Sequence, residues 1–137
     1  MIACASPKYL KGKRKPVKPG DIQNHAVIGY SYLSTGDEWV FHGPDGEARV
    51  KTQPRIRANN GDTCRAAALA HQGIILQPTF IVGMDIQRGD LVELMPEYKS
   101  TELGVYAVYP SRKLLSPRIR AMVDFLIQEF KTAQWHT

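Results

Sequence analysis

Cysteine is scarce here: Cys4 and Cys64 are the only two in 137 residues. They fall on separate predicted elements, so nothing resembles the disulfide framework of a small secreted domain. Metal-ligand spacing is absent as well. There is no CxxC and no HExxH, and His25, His42, His71 and His136 have no partner at ligand spacing, which makes each a structural or surface histidine. No window approaches the roughly 18 uncharged apolar residues of a spanning helix. The opening "MIACASPKYLKGKRK" puts its charge after a short apolar stretch, the reverse of a secretory signal. A cytoplasmic chain with no membrane partner is expected. Gly61 and Gly73 lie too far apart for GxGxxG, and neither GxxxxGK[ST] nor GxSxG occurs. With no cofactor motif and no activated nucleophile, the expectation is a protein that needs no cofactor and is not an enzyme. The adjacent carboxylates Asp37 and Glu38 sit in a polar loop and read as solvated.

Acid is missing from the first twenty residues. Lys8, Lys11, Lys13, Arg14, Lys15 and Lys18 all precede Asp21, so the net charge of +5 belongs to one segment, and 12 basic against 13 acidic residues remain after it. Such a run can touch a phosphate backbone. No aromatic beyond Tyr9 is interleaved and no recognition helix follows, so a hydrated loop is the preferred reading. A basic nucleic-acid-binding module acting through Lys8–Lys18 is the alternative function.

What is present is an ordinary globular composition, 43% apolar and 23% charged, at a length that suits one domain. "MIACA" is a short strand. Ser6 and Pro7 then open a brief helix that Gly12 terminates, and Pro19 opens another. "AVIGY" has the continuous apolar character of a buried strand. "WVFH" and "EARVK" flank Pro44-Asp45-Gly46, which predicts a β-hairpin over Trp39–Lys51. Next, "RANNGDTCRAAALAHQGIILQP" reads as strand, turn, alanine-rich helix and strand: Asn60 or Asp62 caps a helix from about Thr63 to His71, Gly73 ends it in the left-handed conformation, and "IILQP" returns as a parallel neighbour. "TFIVGMDIQRG" is a helix ending at Gly89, followed by strands "LVELM" and "LGVYAVYP". In "SPRIRAMVDFLIQEF", Ser116 caps, Pro117 takes the first helical position, and Ile119, Met122, Val123, Leu126 and Phe130 recur at helical spacing.

The fold class is therefore α/β, a mostly parallel sheet with flanking helices and an inserted hairpin. In such sheets ligands bind beyond the carboxyl ends of the strands. Those ends are Tyr30-Ser31-Tyr32-Leu33, Asn59-Asn60-Gly61-Asp62-Thr63 and Gln77-Pro78-Thr79-Phe80. They offer aromatic walls with hydroxyl and amide groups, the composition of a small-molecule site. Ordinary loop packing is the other reading for each residue.

The serial order of these segments, above all "NNGDTCRAAALAHQGIILQP" with "YAVYPSRKLLSPRIRAMVDFL", resembles the C-terminal part of LysR-type transcriptional regulators. The resemblance runs from Ala5 to about Phe130. It implies a periplasmic-binding-protein-like (type 2) effector-binding region of two subdomains joined by two crossover strands, with the effector between them. By this match residues 1–5 are the first crossover strand, 6–103 the second subdomain, 104–110 the returning crossover strand, and 116–131 a helix of the first subdomain. The expected chain is a partial domain, without the helix-turn-helix through which such regulators hold DNA. Implied partners are a small-molecule effector and further copies of the protein. The implied effector-binding residues are Tyr30, Ser31, Tyr32, Leu33, Asn60, Thr63, Pro78 and Thr79. Where many relatives carry a helix this chain has the Trp39–Lys51 hairpin, which resembles one large branch and predicts no effector. A peroxide-sensing branch has a cysteine where Ala26 stands, so peroxide sensing is not expected.

Overall fold

A computed structural model describes residues 1–108 and 116–132. They fall into two units, Met1–Glu102 and Leu103–Thr137. In the first, β1 (Ile2–Ala5) leads through Ser6 into α1 (Pro7–Leu10), whose first turn is capped by the Tyr9 N–H donating to Ser6 Oγ at 3.3 Å. A 3₁₀ turn, Pro19–Asn24, follows the basic loop. Then come β2 (Val27–Tyr30), β3 (Glu38–Gly43), β4 (Gly46–Lys51), β5 (Pro54–Ala58), α2 (Gly61–Leu69), β6 (Ile75–Gln77), α3 (Thr79–Arg88) and β7 (Val92–Leu94).

Three ladders and one isolated bridge link five of these strands. β2 pairs with β5 in parallel, a parallel bridge joins Val27 to Ile74 just before β6, and β1 lies antiparallel between β6 and β7. The spatial order is β5-β2-β6-β1-β7, with β1 alone running against the rest. This corrects one expectation. β5 and β6 flank a parallel crossover, yet they are not neighbours, because β2 lies between them. The narrow face of α2 permits this arrangement: Cys64 and Ala68 are fully buried in one cluster with Ile28 of β2 and Ile75 of β6, so a helix with small side chains spans the middle strand.

Alternation along each strand separates the two faces of the sheet. Ala3, Ala5, Val27, Ile74, Leu76 and Leu94 point to one side, where Ile22 of the 3₁₀ turn and Trp39, Phe41 and Val50 of the β3–β4 hairpin cover them. Cys4, Ile28 and Ile75 point to the other, under Cys64 and Ala68 of α2, Val82 of α3 and Leu91. The hairpin expected over Trp39–Lys51 forms and begins one residue earlier, in register from Glu38↔Lys51 to Gly43↔Gly46. Gly43 is required by crowding: a Cβ there would stand 2.3 Å from the Tyr98 ring.

The end of α2 differs from expectation. His71, not Gly73, takes the left-handed conformation, with φ 64°. Its N–H donates to Ala68 O and that of Gln72 to Ala67 O, closing the helix as a left-handed terminus does. The imidazole Nδ1 lies 2.8 Å from Ser6 Oγ, a tertiary contact that offsets the backbone strain of a non-glycine residue there. Gly73 serves close approach instead, since a Cβ on it would lie 2.5 Å from the Ala26 carbonyl oxygen.

In the second unit, residues 103–108 form no strand, while Tyr109 and Pro110 lie outside the described residues. The final helix, α4 (Pro117–Thr132), begins as read, with the Ile119 N–H donating to Ser116 Oγ at 3.4 Å. Val123 and Leu126 are half-buried, whereas Met122 and Phe125 are more than half exposed.

Candidate functional site

Because β5, β2 and β6 are adjacent and parallel, their carboxyl ends meet at one edge of the sheet. The loops leaving that edge hold all eight residues singled out from the sequence. Tyr30 ends β2 half-buried, and the Ser31 N–H donates to Ala58 O at 2.9 Å, stitching the β2 exit to that of β5. Tyr32 is 71% exposed and meets Tyr30 edge to face, ring centroids 6.0 Å apart. Leu33 turns back, its N–H donating to Tyr30 O, and packs on the core beneath. Tyr32 thus faces water, while Leu33 is part of the packing.

From β5 the chain passes into α2 through Asn60, whose Oδ1 accepts from the Thr63 N–H at 3.1 Å. Asn60 is therefore the cap, and its side-chain oxygen is committed to the helix. Thr63 is exposed on the first turn. At the β6 exit, Pro78 precedes α3 in extended conformation and Thr79 is its first residue, both half-buried. Two helices thus begin at this edge, and the partial positive charge of a helix N-terminus favours anionic or acceptor groups near both.

Gln77, which the sequence reading placed at a strand end but left out of the effector-binding set, is the residue the structure adds. It is 2% exposed, and its amide nitrogen has no hydrogen-bond partner among the described residues. Its amide oxygen lies against Gly61, where a Cβ would come within 3.0 Å of it and 2.5 Å of Ile81 Cδ1. A buried amide donor left unpaired costs about 1–3 kcal/mol, so its presence calls for an acceptor. The available signal was a lone amide side chain in the otherwise apolar "IILQ". Gly61 lets β6 and the start of α2 close around it.

Other chemistry is structural. The cysteines are free and buried, and burial pushes the Cys4 thiol up to about 12 and raises that of Cys64 as well. The Cys64 thiol donates to Gly29 O at 3.8 Å. His25 lies between Tyr9 Oη and Arg14 O, and His71 beside Ser6; His136 falls outside the described residues. No group of three or more potential metal ligands occurs among the described residues, and no helix there is long and apolar enough to cross a membrane. Asp37 pairs with Arg57 through both carboxylate oxygens at 2.6 Å, and Glu38 pairs with Arg49 at 3.1 Å, so the adjacent acids each hold an arginine.

Comparison with known proteins agrees with this architecture. The model of the LysR substrate binding domain matches residues 1–131. The transcriptional regulator PtxR of Pseudomonas aeruginosa is 35% identical over 125 residues, covering 91% of this chain and 40% of PtxR. CrgA of Neisseria meningitidis serogroup B is 30% identical over 126 residues, 91% of this chain and 42% of CrgA. The chain thus spans about two-fifths of the length of these curated relatives. Among solved structures, the regulatory domain of AphB from Vibrio vulnificus superposes with a TM-score of 0.80 at 24% identity, over 93% of this chain and 64% of that one. The CrgA regulatory domain gives 0.72 at 26% identity, over 93% and 63%. With the type 2 periplasmic-binding-protein-like sheet, the hairpin and the strand-end loops in place, the chain belongs to the LysR substrate binding domain family.

Proposed function

We propose that residues 6–103 are the second subdomain of an effector-sensing region, and that the edge formed by Tyr30–Leu33, Asn60–Thr63 and Gln77–Thr79 is one wall of its effector cleft. The observation that carries this reading is the Gln77 amide nitrogen at the end of β6, buried and without a hydrogen-bond partner among the described residues, with the amide oxygen beside Gly61 at the start of α2. An effector with a carbonyl or carboxylate acceptor satisfies it, with Tyr32 as an aromatic flank and two helix N-termini favouring the acceptor's charge. Residues 1–5 and 104–110 are the crossover segments, and the helix at 116–131 belongs to the other subdomain. In the parent regulator, a cytoplasmic and non-enzymatic protein, effector binding shifts an oligomer between arrangements of different effector affinity, and an N-terminal helix-turn-helix reports this to DNA. The buried thiols support a sensor of small molecules rather than of peroxide.

The test is Gln77→Leu in a regulator carrying this segment. Removing an unpaired buried donor leaves stability unchanged or raised, while inducer response is blunted and promoter binding persists. Tyr32→Ala and Ser31→Ala blunt the response in the same way. If Gln77→Leu lowers the melting temperature and leaves the inducer titration unmoved, Gln77 is a packing residue and the wall lies elsewhere.

A further inference from the structure

The opposite ends of the same strands border a second concavity, of very different chemistry. Ala26 precedes β2, Arg55 lies at the start of β5, and Gln72 stands just before β6. Together with the basic loop they line a cleft of ≈ 610 Å³. Its charged lining is Lys8, Lys11, Lys13, Arg14 and Arg55, with no carboxylate among the lining residues. Among the described residues none of these five cations forms an ion pair. Elsewhere Arg49, Arg57, Arg65, Arg88 and Lys99 have acidic partners, while Lys15, Lys18 and Lys51 form no ion pair among the described residues.

The segment that supplies the charge has exposed side chains, in keeping with the hydrated run expected from the sequence, but its backbone is anchored. The Arg14 carbonyl lies 3.0 Å from His25 Nε2, and Asp21 accepts from the Val17 and Lys18 N–H groups at 3.0 and 3.1 Å. Lys13 Nζ stands 5.4 Å from the centroid of the Tyr9 ring, close enough for a cation–π contact. Tyr9 is itself held, because its hydroxyl accepts from the Ala26 N–H at 2.8 Å and lies 3.2 Å from His25 Nδ1. Asp21 holds the backbone through Oδ2, and these bonds, with a smaller contribution from the charges of Arg14 and Lys18, keep its carboxyl below the ordinary range. Cations of one sign are thus held around a concave surface against their mutual repulsion, an arrangement that a bound anion relieves.

We infer that this cleft binds a small multivalent anion of the phosphate-ester or diphosphate class, at a site separate from the strand-end wall. A single carboxylate would neutralise one of five cations, whereas a diphosphate carries several charges in one compact group. The planar forks of Arg14 and Arg55 match phosphate oxygens two at a time. Concavity separates this from duplex binding. A volume within the roughly 300–1,000 Å³ of small-molecule sites suits a compact ligand, while a duplex needs a surface that follows its backbone.

The experiment is titration of the full chain with inorganic pyrophosphate, followed calorimetrically at constant ionic strength, with chloride, inorganic phosphate and a short DNA duplex as further arms. Pyrophosphate should bind more tightly than phosphate and chloride. Arg14→Gln with Arg55→Gln should weaken it by at least about tenfold, the loss expected for removed charge-assisted bonds. All five cations are exposed, so the fold should survive. Lys11→Gln with Lys13→Gln supplies a second loss-of-charge variant, and Lys51→Gln, outside the lining, should leave binding unchanged. Pyrophosphate binding no better than chloride, or binding untouched in both double variants, would overturn the inference. Duplex DNA that displaces pyrophosphate and binds more tightly through the same residues would also overturn it, in favour of a nucleic-acid surface.

Discussion

Asp85 decides how firmly the proposed effector wall is held. Its side chain is 1% exposed and accepts from Arg65 Nε and, at 2.6 Å, from Arg65 Nη2, as well as from Arg88 Nη2 at 2.7 Å. Arg65 rides on α2 and Asp85 on α3, so this clamp ties together the two helices whose N-termini flank the strand ends. Asp85→Asn keeps the shape and removes the charge. Hydrogen bonds to charged groups contribute about 1.5–3 kcal/mol each, and breaking a fully buried pair costs about 3–5 kcal/mol. Arg65 and Arg88 are 31% and 55% exposed and regain water when released, so the expected loss is reduced to about 2–4 kcal/mol. For a unit of this size that lowers Tm by about 10–25 °C. Urea unfolding followed by circular dichroism, on Asp85→Asn, Arg65→Ala and the double variant, should return a coupling of about 1–3 kcal/mol.

The acid dependence of the clamp has a definite sign. The hydrogen bond from Arg65, foremost, holds the Asp85 carboxyl below its ordinary range, against the opposing effect of burial. The unfolded chain therefore binds the proton more readily. The contribution is fully present above the unfolded value of about 3.9 and is lost as pH falls through the lower folded value. The stability gap between the protein and Asp85→Asn should accordingly narrow as pH falls below about 5. A loss below about 0.5 kcal/mol, an absent coupling, or a gap that does not narrow would refute the reasoning, since surface pairs alone give that little.

Two further outcomes follow from other parts of the molecule. Cys4 and Cys64 should resist a thiol reagent in the native protein and react once unfolded, and rapid native labelling of either would contradict their burial. Helix α4 should drive self-association: Ile119, Met122 and Phe130 remain 44%, 59% and 43% exposed while Val123 and Leu126 are already half-buried, so covering this face is worth well below the roughly 8–15 kcal/mol of full burial of all five. Light scattering across a dilution series should therefore show association that Leu126→Lys removes, and a monomer at every concentration would exclude this role for the helix.

Elements set by local chemistry were legible from residues alone. The Ser6 cap, the α2 cap narrowed to Asn60 or Asp62, the hairpin across Pro44-Asp45 and the stop at Gly89, in left-handed conformation with φ 78°, each depend on neighbours in sequence. What was not legible depends on distant partners. The insertion of β2 between β5 and β6 is decided by which apolar strand α2 can cover, and the turn of the chain at His71 by a bond to Ser6, far away in sequence. The same holds for the candidate site. Capping and strand ends located its loops, but that the Gln77 amide nitrogen is buried without a partner among the described residues emerges only when Gly61 closes beside it. The basic loop shows the converse, since its charge was evident while its anchors, Tyr9 and His25, became visible only in three dimensions.

The reversed strand β1 has a kinetic meaning. Its register joins Ile2 to Gln77 on one edge and Ala3 to Leu94 on the other, so a central strand closes loops of most of the unit's length from the very start of this sequence. The α2–β6 crossover can assemble from nearby residues, but β1 has no edge to join until β6 exists and is not enclosed until β7 arrives. Contacts of such long sequence separation slow folding, because closure entropy must be overcome before pairing stabilises the chain. Until residue 94 is in place, Ala3 and Ala5 have one open edge beside them. In that interval the half-built sheet is exposed to strand addition from another chain, and the rate at which β7 docks sets how long that hazard lasts.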